Sequence, residues 1–187
     1  MRLETIGNFD WENEPDFNFL EDSIVIKPAK KTDYWQDRKH SICINSGHFF
    51  YSNHANDFSI TCKWEIPDEI PQMAQFGIMS RIDNNNWCKI SLTKDKNNKL
   101  FILVSVTNGN ISDFCKFIPI GQSTSISYKI QAIDNIFSLS YSFDGINFNL
   151  LRVFQFIKDS QIYQIGAYTC NPTEQDFKAI LEEIDIS

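Results

Sequence analysis

Hydrophobic and polar residues alternate with a period of two along most of the chain. Segment 57–66, DFSITCKWEI, is a clear example, with an apolar residue at every even position from 58 to 66. Such alternation is typical of a β-strand that buries one face. The pattern recurs and predicts about a dozen strands, including 23–27, 48–52, 75–82, 87–92, 99–108, 125–133, 136–143, 148–156, 161–170 and 177–186.

Short runs of Asn, Asp and Gly separate the predicted strands. These residue types form tight turns because they tolerate positive φ or bond their own backbone. Regularly spaced turns of this kind predict antiparallel hairpins and an all-β sandwich. The runs are DNNN (83–86), DKNN (95–98), NGN (108–110), DN (134–135) and DG (144–145).

Helix signals are weak. Segment 67–75 has room for one turn but contains Pro71, and segment 171–177 is a candidate short connection with Thr173 as its cap. No internal repeat or linker divides the chain, so a single domain over residues 1–187 is expected.

The hairpin around Trp87 has one face of unusual composition. We expect Ile82 on the core side of the sheet, together with Cys88 and Ile90. Because side chains alternate between the two faces, this arrangement requires a hairpin loop with an odd number of residues. The three residues 84–86 would form such a loop. In that register the opposite face carries Gln75, Met79, Arg81, Trp87, Lys89 and Ser91.

An indole ring beside amide and cationic groups suits a sugar. Sugar C–H groups pack on an aromatic face, and polar side chains bind the hydroxyl groups. Arg81 or Lys89 would also bind a carboxylate or phosphate on the ligand. The alternative is a cross-strand cation–π pair that Trp87 forms without any ligand.

Composition excludes some classes of protein. The 187 residues are 42% hydrophobic and 14% aromatic, enough for a packed core. The net charge is −7, and no Lys/Arg run is present, which argues against binding of nucleic acid or of anionic membrane surfaces. The N-terminal segment lacks the apolar region of a secretory signal, and no apolar stretch is long enough to span a membrane. A cytoplasmic protein is expected.

Cysteine and histidine usage favours neither disulfides nor metal. The five cysteines, at 43, 62, 88, 115 and 170, are odd in number and form no C-x-x-C pair, so mostly buried, free thiols are expected. His40, His48 and His54 lack the spacing of a zinc site. No metal and no cofactor are expected.

Several segments resemble a known family. In order, they are similar to the signature segments of domain-of-unknown-function family 1349, also called regulation-of-enolase-like. The resemblance implies a concanavalin A-like jelly-roll sandwich of two antiparallel sheets, each of about six or seven strands, one of them concave. Fold relatives include lectins, carbohydrate-binding modules and glycosidases. The segments are WENEP (11–15), TDYWQD (32–37), AQFGIMSRIDNNNWCKISL (74–92), VSVTNGNISDF (104–114), YSFDGINFNLLR (141–152) and IGAYTCNP (165–172).

The chain also departs from the family pattern. A family acid is replaced by Ala74 and a family Glu by Thr93, so two carboxylates on or near the implied groove are missing. Phe114 stands for a family Trp and Lys129 for a family Arg. The family residues that are retained, and that the resemblance implies as ligand-binding, are Trp35, Gln75, Arg81, Trp87, Lys89, Thr107 and Asp113.

Glycoside hydrolysis normally needs two carboxyl groups at a fixed separation. Glu183 and Asp185 would lie on the same side of a final strand, but solvent-facing acids are ordinary there, and no catalytic residue is assigned. We therefore expect non-catalytic binding of a carbohydrate or sugar-like metabolite. The alternatives are a glycosidase-like or other sugar-modifying enzyme, and a protein-binding regulator of carbohydrate metabolism.

Overall fold

The computed structural model describes residues 7–55, 57–119, 123–158 and 160–187. Within these residues the structure contains sixteen β-strands and no helix. The strands are β1 (Asp10–Glu12), β2 (Asp16–Phe19), β3 (Ile24–Lys27), β4 (Tyr34–Asp37), β5 (Ile42–Asn45), β6 (His48–Ala55), β7 (Phe58–Glu65), β8 (Gln75–Asp83), β9 (Asn86–Lys94), β10 (Leu100–Asn108), β11 (Ile111–Phe117), β12 (Ser125–Ile133), β13 (Ile136–Ser142), β14 (Asn149–Gln155), β15 (Ile162–Cys170) and β16 (Ala179–Ile186).

The strands form two antiparallel sheets, as the alternation predicts. One sheet has nine strands in the order β1-β6-β15-β8-β9-β10-β11-β4-β5, and the other has seven in the order β14-β13-β12-β7-β16-β3-β2. The expectation of about six or seven strands in each sheet is wrong for the larger one. Short strands at its two edges extend it, since β1, β4 and β5 have only three or four residues each.

The main core lies between the two sheets. Phe58 and Ile60 of β7 are buried there and belong to the same apolar cluster as Ile90 of β9. Burying one such side chain contributes about 1.5–3 kcal/mol relative to leaving it exposed. The indole Nε1 of buried Trp64 donates a hydrogen bond of 3.1 Å to the carbonyl oxygen of Gly77, which satisfies a buried donor and joins the two sheets.

The hairpin of β8 and β9 has the predicted facing of its side chains but a different loop and register. A two-residue turn, 84–85, and a bulge between Arg81 and Asp83 replace the predicted three-residue loop 84–86. The bulge inserts one unpaired residue, so the odd length that the register requires is preserved. The cross-strand pairs that result are Gly77–Ser91, Met79–Lys89 and Arg81–Trp87.

The two segments considered for helical turns are irregular instead. Segment 67–74 contains no helix, and its Pro71 carbonyl accepts a hydrogen bond from the Ala74 amide. In segment 171–177, Asn171 Oδ1 accepts hydrogen bonds from the amide and the hydroxyl of Thr173. Thr173 therefore stabilises an Asn-centred turn and caps no helix.

All five cysteines have free thiols, as expected. Cys62, Cys88 and Cys170 are buried, whereas Cys43 and Cys115 are exposed. Burial raises the pKa of the Cys88 thiol to about 12 and raises the pKa values of Cys62 and Cys170 as well. These three thiols remain protonated near neutral pH and are therefore poor nucleophiles.

No helix in the described ranges is long and apolar enough to cross a membrane.

Candidate functional site

The outer face of the nine-stranded sheet carries a second apolar cluster. Cys88 and Ile90 of β9 point into the main core, so Trp87 and Lys89 point to the opposite side. Trp87 packs there with aromatic and sulfur-containing side chains from neighbouring strands. The cluster consists of Tyr34, Phe49, Met79, Trp87, Tyr168 and Cys170, with Tyr51 at its margin.

Residues 28–47, which we call the strap, run across this outer face. Tyr34 of the strap makes edge contacts with the rings of Trp87 and Tyr168, at centroid distances of 6.2 and 6.3 Å. Its hydroxyl donates a hydrogen bond of 2.8 Å to the carbonyl oxygen of Gly47. Burial raises the pKa of the Tyr34 hydroxyl, which therefore remains protonated.

Gly47 provides the space into which Tyr34 fits. A Cβ atom at position 47 would lie 2.4 Å from Tyr34 Cε2, well inside van der Waals contact. The absence of a side chain at Gly47 thus allows the aromatic ring to reach the sheet.

Trp87 is completely buried beneath the strap. It lies on the predicted face, directly opposite Arg81, but the ring of Tyr34 packs against it and the whole residue is inaccessible. The expectation that Trp87 stacks directly on a ligand is therefore revised, because no part of the ring is accessible in this structure. Its Nε1 has no hydrogen-bond partner among the described residues.

Arg81 is also committed to internal contacts. Its Nε donates a 2.9 Å hydrogen bond to Gln164 Oε1, and its Nη2 forms an ion pair with Glu12 of β1. The guanidinium carbon lies 5.7 Å from the centroid of the Phe49 ring. Arg81 is 7% exposed, so it anchors the N-terminal edge strand to the sheet and leaves little of its charge for a ligand.

Beside the buried cluster lies a cavity of about 240 Å³, formed where the strap meets β8–β11. Its apolar wall is made by Trp35, Met73, Leu103 and Phe114. The rings of Trp35 and Phe114 meet edge to face at a centroid distance of 5.8 Å. Such a wall offers an aromatic surface to the C–H groups of a ligand.

Polar groups converge on the same cavity from Asp33, Gln75, Lys89 and Ser105. Lys89 is 1% exposed, and its Nζ donates hydrogen bonds to the Tyr34 carbonyl oxygen at 3.0 Å and to Gln75 Oε1 at 3.1 Å. Asp33 Oδ1 lies 3.5 Å from the same nitrogen. The buried ammonium is thus surrounded by oxygen atoms, as a buried charge requires.

Gln75 orients Lys89 and is itself tightly held. Its Oε1 accepts hydrogen bonds from Lys89 Nζ and from the hydroxyl of Tyr168 at 3.0 Å. Its Nε2 donates to the Met73 carbonyl oxygen at 3.3 Å. By contrast, Ser105 Oγ is buried at the cavity and has no hydrogen-bond partner within the described part of the chain. Ser105 therefore contributes a buried hydroxyl that is left unpaired among the described lining residues.

Besides Trp87 and Arg81, two more of the residues expected to bind a ligand lie outside the cavity. Thr107 is buried opposite Trp87, and its hydroxyl bonds that of Ser112 at 2.6 Å. Asp113 pairs in the sheet with the core residue Val106, and therefore points to the opposite side of the sheet from the cavity. There it forms a bidentate ion pair with Arg152 of β14, at 2.6 and 3.0 Å.

Of the seven residues singled out in the sequence, the cavity brings together Trp35, Gln75 and Lys89. Sequence reasoning missed several residues of its lining. The alternation of β10 and β11 contained a signal for them, because their outward positions are the complement of the predicted core positions. The missed residues are Asp33, Tyr34, Met73, Leu103, Ser105, Phe114 and Lys116.

The acids considered for catalysis lie on the other sheet. Glu183 and Asp185 flank buried Ile184 on β16, so both face outward, as predicted. Glu183 borders a shallow polar cleft of about 500 Å³ together with Glu182 and Lys63. This cleft is larger than the cavity but open and without an aromatic wall, so we regard the cavity as the better candidate site.

No group of three or more His, Cys, Asp and Glu side chains in the described residues is arranged to hold a metal ion. His48 is used internally: its Nε2 accepts a 2.9 Å hydrogen bond from the Ala29 amide, and its Nδ1 bonds the Asn13 carbonyl oxygen.

Comparison with known proteins agrees with this architecture. The family model described as "Protein of unknown function (DUF1349)" matches residues 11–187. "Regulation of enolase protein 1" from Saccharomyces cerevisiae is 25% identical over 174 residues, covering 92% of this chain and 86% of that protein.

Solved structures show the same fold. A functionally unknown protein from Saccharomyces cerevisiae superposes with a TM-score of 0.88 at 22% identity, covering 97% of both chains. A mutant of the GH43 protein BlXynB from Bacillus licheniformis gives 0.74 at 14% identity, over 96% of this chain and 36% of that one. The legume lectin-like domain from Entamoeba histolytica gives 0.65 at 12% identity, over 98% and 92%. The predicted jelly-roll sandwich of the lectin/glucanase type is confirmed.

Proposed function

The chain belongs to the DUF1349 family, and from that premise we propose that it binds a small carbohydrate or sugar-like metabolite without transforming it. The ligand would occupy the cavity between the strap and the outer face of the nine-stranded sheet. The observation that carries the proposal is the combination of an aromatic wall with a buried, oriented polar floor in one enclosure.

The two kinds of surface match the two faces of a sugar ring. Trp35 and Phe114 supply the aromatic surface on which C–H groups pack. Lys89 and Ser105 supply a donor and an unpartnered hydroxyl for the ligand's oxygen atoms. Gln75 and the Tyr34 carbonyl oxygen already fix the Lys89 ammonium, so little side-chain entropy would be lost on binding.

The carboxylate count favours binding over hydrolysis. Asp33 is the one carboxylate that lines the cavity among the described residues. Glycosidases that act through two carboxyl groups need a second one roughly 5–10 Å away. Glu183 and Asp185 lie on the outer face of the other sheet and do not supply it.

Calorimetric titration with a panel of neutral and charged monosaccharides at millimolar concentration tests the proposal. We expect binding by the wild-type protein and a loss of roughly tenfold or more in affinity for Trp35→Ala, which removes the larger ring of the wall. Glu183→Gln, on the other sheet, is the matched control and should bind normally. If no monosaccharide binds to the correctly folded protein, the proposal is wrong.

An aryl-glycoside screen separates binding from catalysis. We expect no turnover by wild-type protein. Turnover that disappears in Glu183→Gln would instead support an enzyme that uses the acids of β16.

A regulatory role through a protein partner is the second candidate. It is supported by the name of the yeast relative and by the exposed Phe114, which lines the cavity. Purified enolase, titrated with this protein, should show altered activity or co-elute with it. Loss of the effect on enolase in Phe114→Ser would support a protein-docking role of this surface. Sugar binding by the same variant is measured in parallel, to distinguish that role from sugar binding.

A further inference from the structure

The cavity has an excess of positive charge, although the protein as a whole carries a net charge of −7. Two lysines, Lys89 and Lys116, line it, and Asp33 is its one carboxylate within the described residues. The local balance is therefore +1, obtained as two lysines minus one aspartate. An excess of one sign inside an enclosure favours a ligand of the opposite sign.

The charge of Lys89 is matched by that of Asp33. An ammonium group has three N–H donors. Two of those on Lys89 reach the Tyr34 carbonyl oxygen and Gln75 Oε1 at hydrogen-bond distances of 3.0 and 3.1 Å. The nearest carboxylate oxygen, Asp33 Oδ1, is farther away at 3.5 Å. The third donor faces this carboxylate, so Lys89 and Asp33 offset each other and the excess positive charge of the cavity is that of Lys116.

Lys116 forms no ion pair in the described part of the chain, and its charge interacts with that of Asp95 only at longer range. Its ammonium lies 4.5 Å from the centroid of the Phe101 ring and 5.9 Å from that of Phe114. No carboxylate oxygen of the described residues lies within ion-pair distance of it. The aromatic rings position the charge beside the cavity without cancelling it.

The size of the cavity limits the ligand to a single sugar. A volume of about 240 Å³ corresponds to roughly eight water molecules at about 30 Å³ each. A monosaccharide with one charged substituent fits this space, whereas a longer oligosaccharide would have to extend out of it.

We infer that the ligand is an anionic monosaccharide, whose carboxylate or phosphate group is bound by Lys116 while its ring packs against Trp35 and Phe114. This inference rests on the proposed function and specifies its ligand class. Charge-assisted hydrogen bonds are about twice as strong as neutral ones, so the anionic group should dominate discrimination among sugars.

Matched sugars test the charge preference. D-glucose, D-glucuronate and D-glucose 6-phosphate are titrated calorimetrically against the full chain at constant ionic strength, with acetate and inorganic phosphate as sugar-free anions. We expect one or both anionic sugars to bind roughly tenfold more tightly than glucose. The better of the two identifies the anionic group as carboxylate or phosphate. The sugar-free anions should bind much more weakly, because they do not use the aromatic wall.

Two lysine variants assign the preference to Lys116. In Lys116→Met the advantage of the anionic sugar over glucose should fall to less than about threefold, because the cation is lost while the apolar stem is kept. Lys129→Met is the control, since Lys129 likewise lies over an aromatic ring, that of Phe148, but on the other sheet. It should keep the full preference.

The outcomes distinguish failure of the anionic-ligand inference from failure of the proposed carbohydrate binding. Equal binding of glucose and the anionic sugars, or a preference that persists in Lys116→Met, overturns the inference and leaves carbohydrate binding supported. Binding of acetate or phosphate as tightly as the sugar derivatives also overturns it. Absence of binding by every sugar, with an unchanged far-ultraviolet circular dichroism spectrum, would overturn the proposed function itself.

Discussion

Lys89 shows how a single side chain connects the fold to the cavity. Its Nζ lies 5.5 Å from the Trp87 ring centroid and 5.3 Å from that of Tyr168, in addition to its oxygen partners. These contacts together offset the cost of removing a charge from water. The same residue that lines the cavity therefore also supports the buried aromatic cluster.

Replacing Lys89 by methionine should destabilise the protein. The change removes one donor from Gln75 Oε1, which keeps the Tyr168 hydroxyl, removes a donor from the Tyr34 carbonyl oxygen, and leaves Asp33 without its cation. We expect a decrease of about 2–4 kcal/mol in the free energy of unfolding, measured by urea denaturation at pH 7.

The same substitution at Lys116 is the control, because that lysine is exposed and makes no ion pair among the described residues. Its effect should stay within about 0.5 kcal/mol. If Lys89→Met were equally mild, the ammonium would not be a structural element of the outer face.

Gly47 is predicted to be required for the position of Tyr34. In Gly47→Ala the new methyl group would lie 2.4 Å from the Tyr34 ring, so the buried ring or the strap must move. We expect destabilisation of about 1–3 kcal/mol and a red shift of tryptophan emission as Trp87 becomes hydrated. Gly7→Ala is the control because the space around Gly7 is open. Unchanged emission in Gly47→Ala would show that Tyr34 does not depend on this gap.

At the scale of elements, the strap is held by a few backbone bonds together with side chains. Its strand β4 joins the sheet through one backbone pair, Ile111 with Asp37, and the amides of Lys31 and Thr32 donate to the carbonyl oxygens of Thr173 and Asn171. Gln36 adds more: its amide donates to Ser112 Oγ at 3.0 Å, and its Nε2 donates to the Asn84 carbonyl oxygen at 2.8 Å. A segment with so few ladder bonds depends on such individual contacts for its position.

His48 makes the attachment of the strap pH-dependent. Its Nε2 accepts from the Ala29 amide while its Nδ1 bonds the Asn13 carbonyl oxygen, so the ring is neutral in this arrangement. Burial lowers the pKa of His48 below its ordinary value. Below about pH 6.5 the unfolded chain therefore binds more protons than the folded one.

We accordingly expect the urea midpoint to fall as the pH is lowered through about 6.5, with a smaller fall in His48→Gln. Burial also lowers the pKa of His54, so His54→Gln is the matched comparison. His54 is less buried and should account for the smaller share of the slope. If the urea midpoint changed with pH identically in wild type and His48→Gln, the pH dependence would not come from His48.

At the scale of the whole molecule, Asp113 and Arg152 tie the two sheets together at one edge. Asp113 belongs to the nine-stranded sheet and Arg152 to the seven-stranded one, and the ion pair raises the pKa of the guanidinium. The resemblance to the family implied Asp113 as a ligand-binding residue. Its position across the sheet from the cavity favours a structural role.

Asp113→Asn should reduce the free energy of unfolding by less than about 1 kcal/mol and leave sugar affinity unchanged, because the carboxylate is largely exposed. The loss should shrink in 1 M salt, where the Debye length is only about 3 Å. Asp16→Asn, which removes an exposed pair with Lys27 within one sheet, is the control. A reduced sugar affinity in Asp113→Asn would restore the ligand-binding assignment.

The sequence by itself determined the period-two strands, the antiparallel sandwich and the facing of the Trp87 hairpin. These features follow from local geometry, because strand alternation and turn residues act over a few positions. Arg81 and Trp87 share the predicted face although the loop contains a bulge and the register differs, since only the parity of the loop length mattered.

Only the tertiary structure decided that the strap covers Trp87 and that the cavity forms beside it, around Trp35, Gln75 and Lys89. An outward-pointing tryptophan has the same sequence pattern whether solvent or another segment lies over it. Trp87 is covered by Tyr34, which belongs to a four-residue strand distant from Trp87 in the sequence. The missing side chain at Gly47 leaves room for the Tyr34 ring. Contacts between such distant, irregular segments depend on packing in three dimensions, which alternation along the chain does not encode.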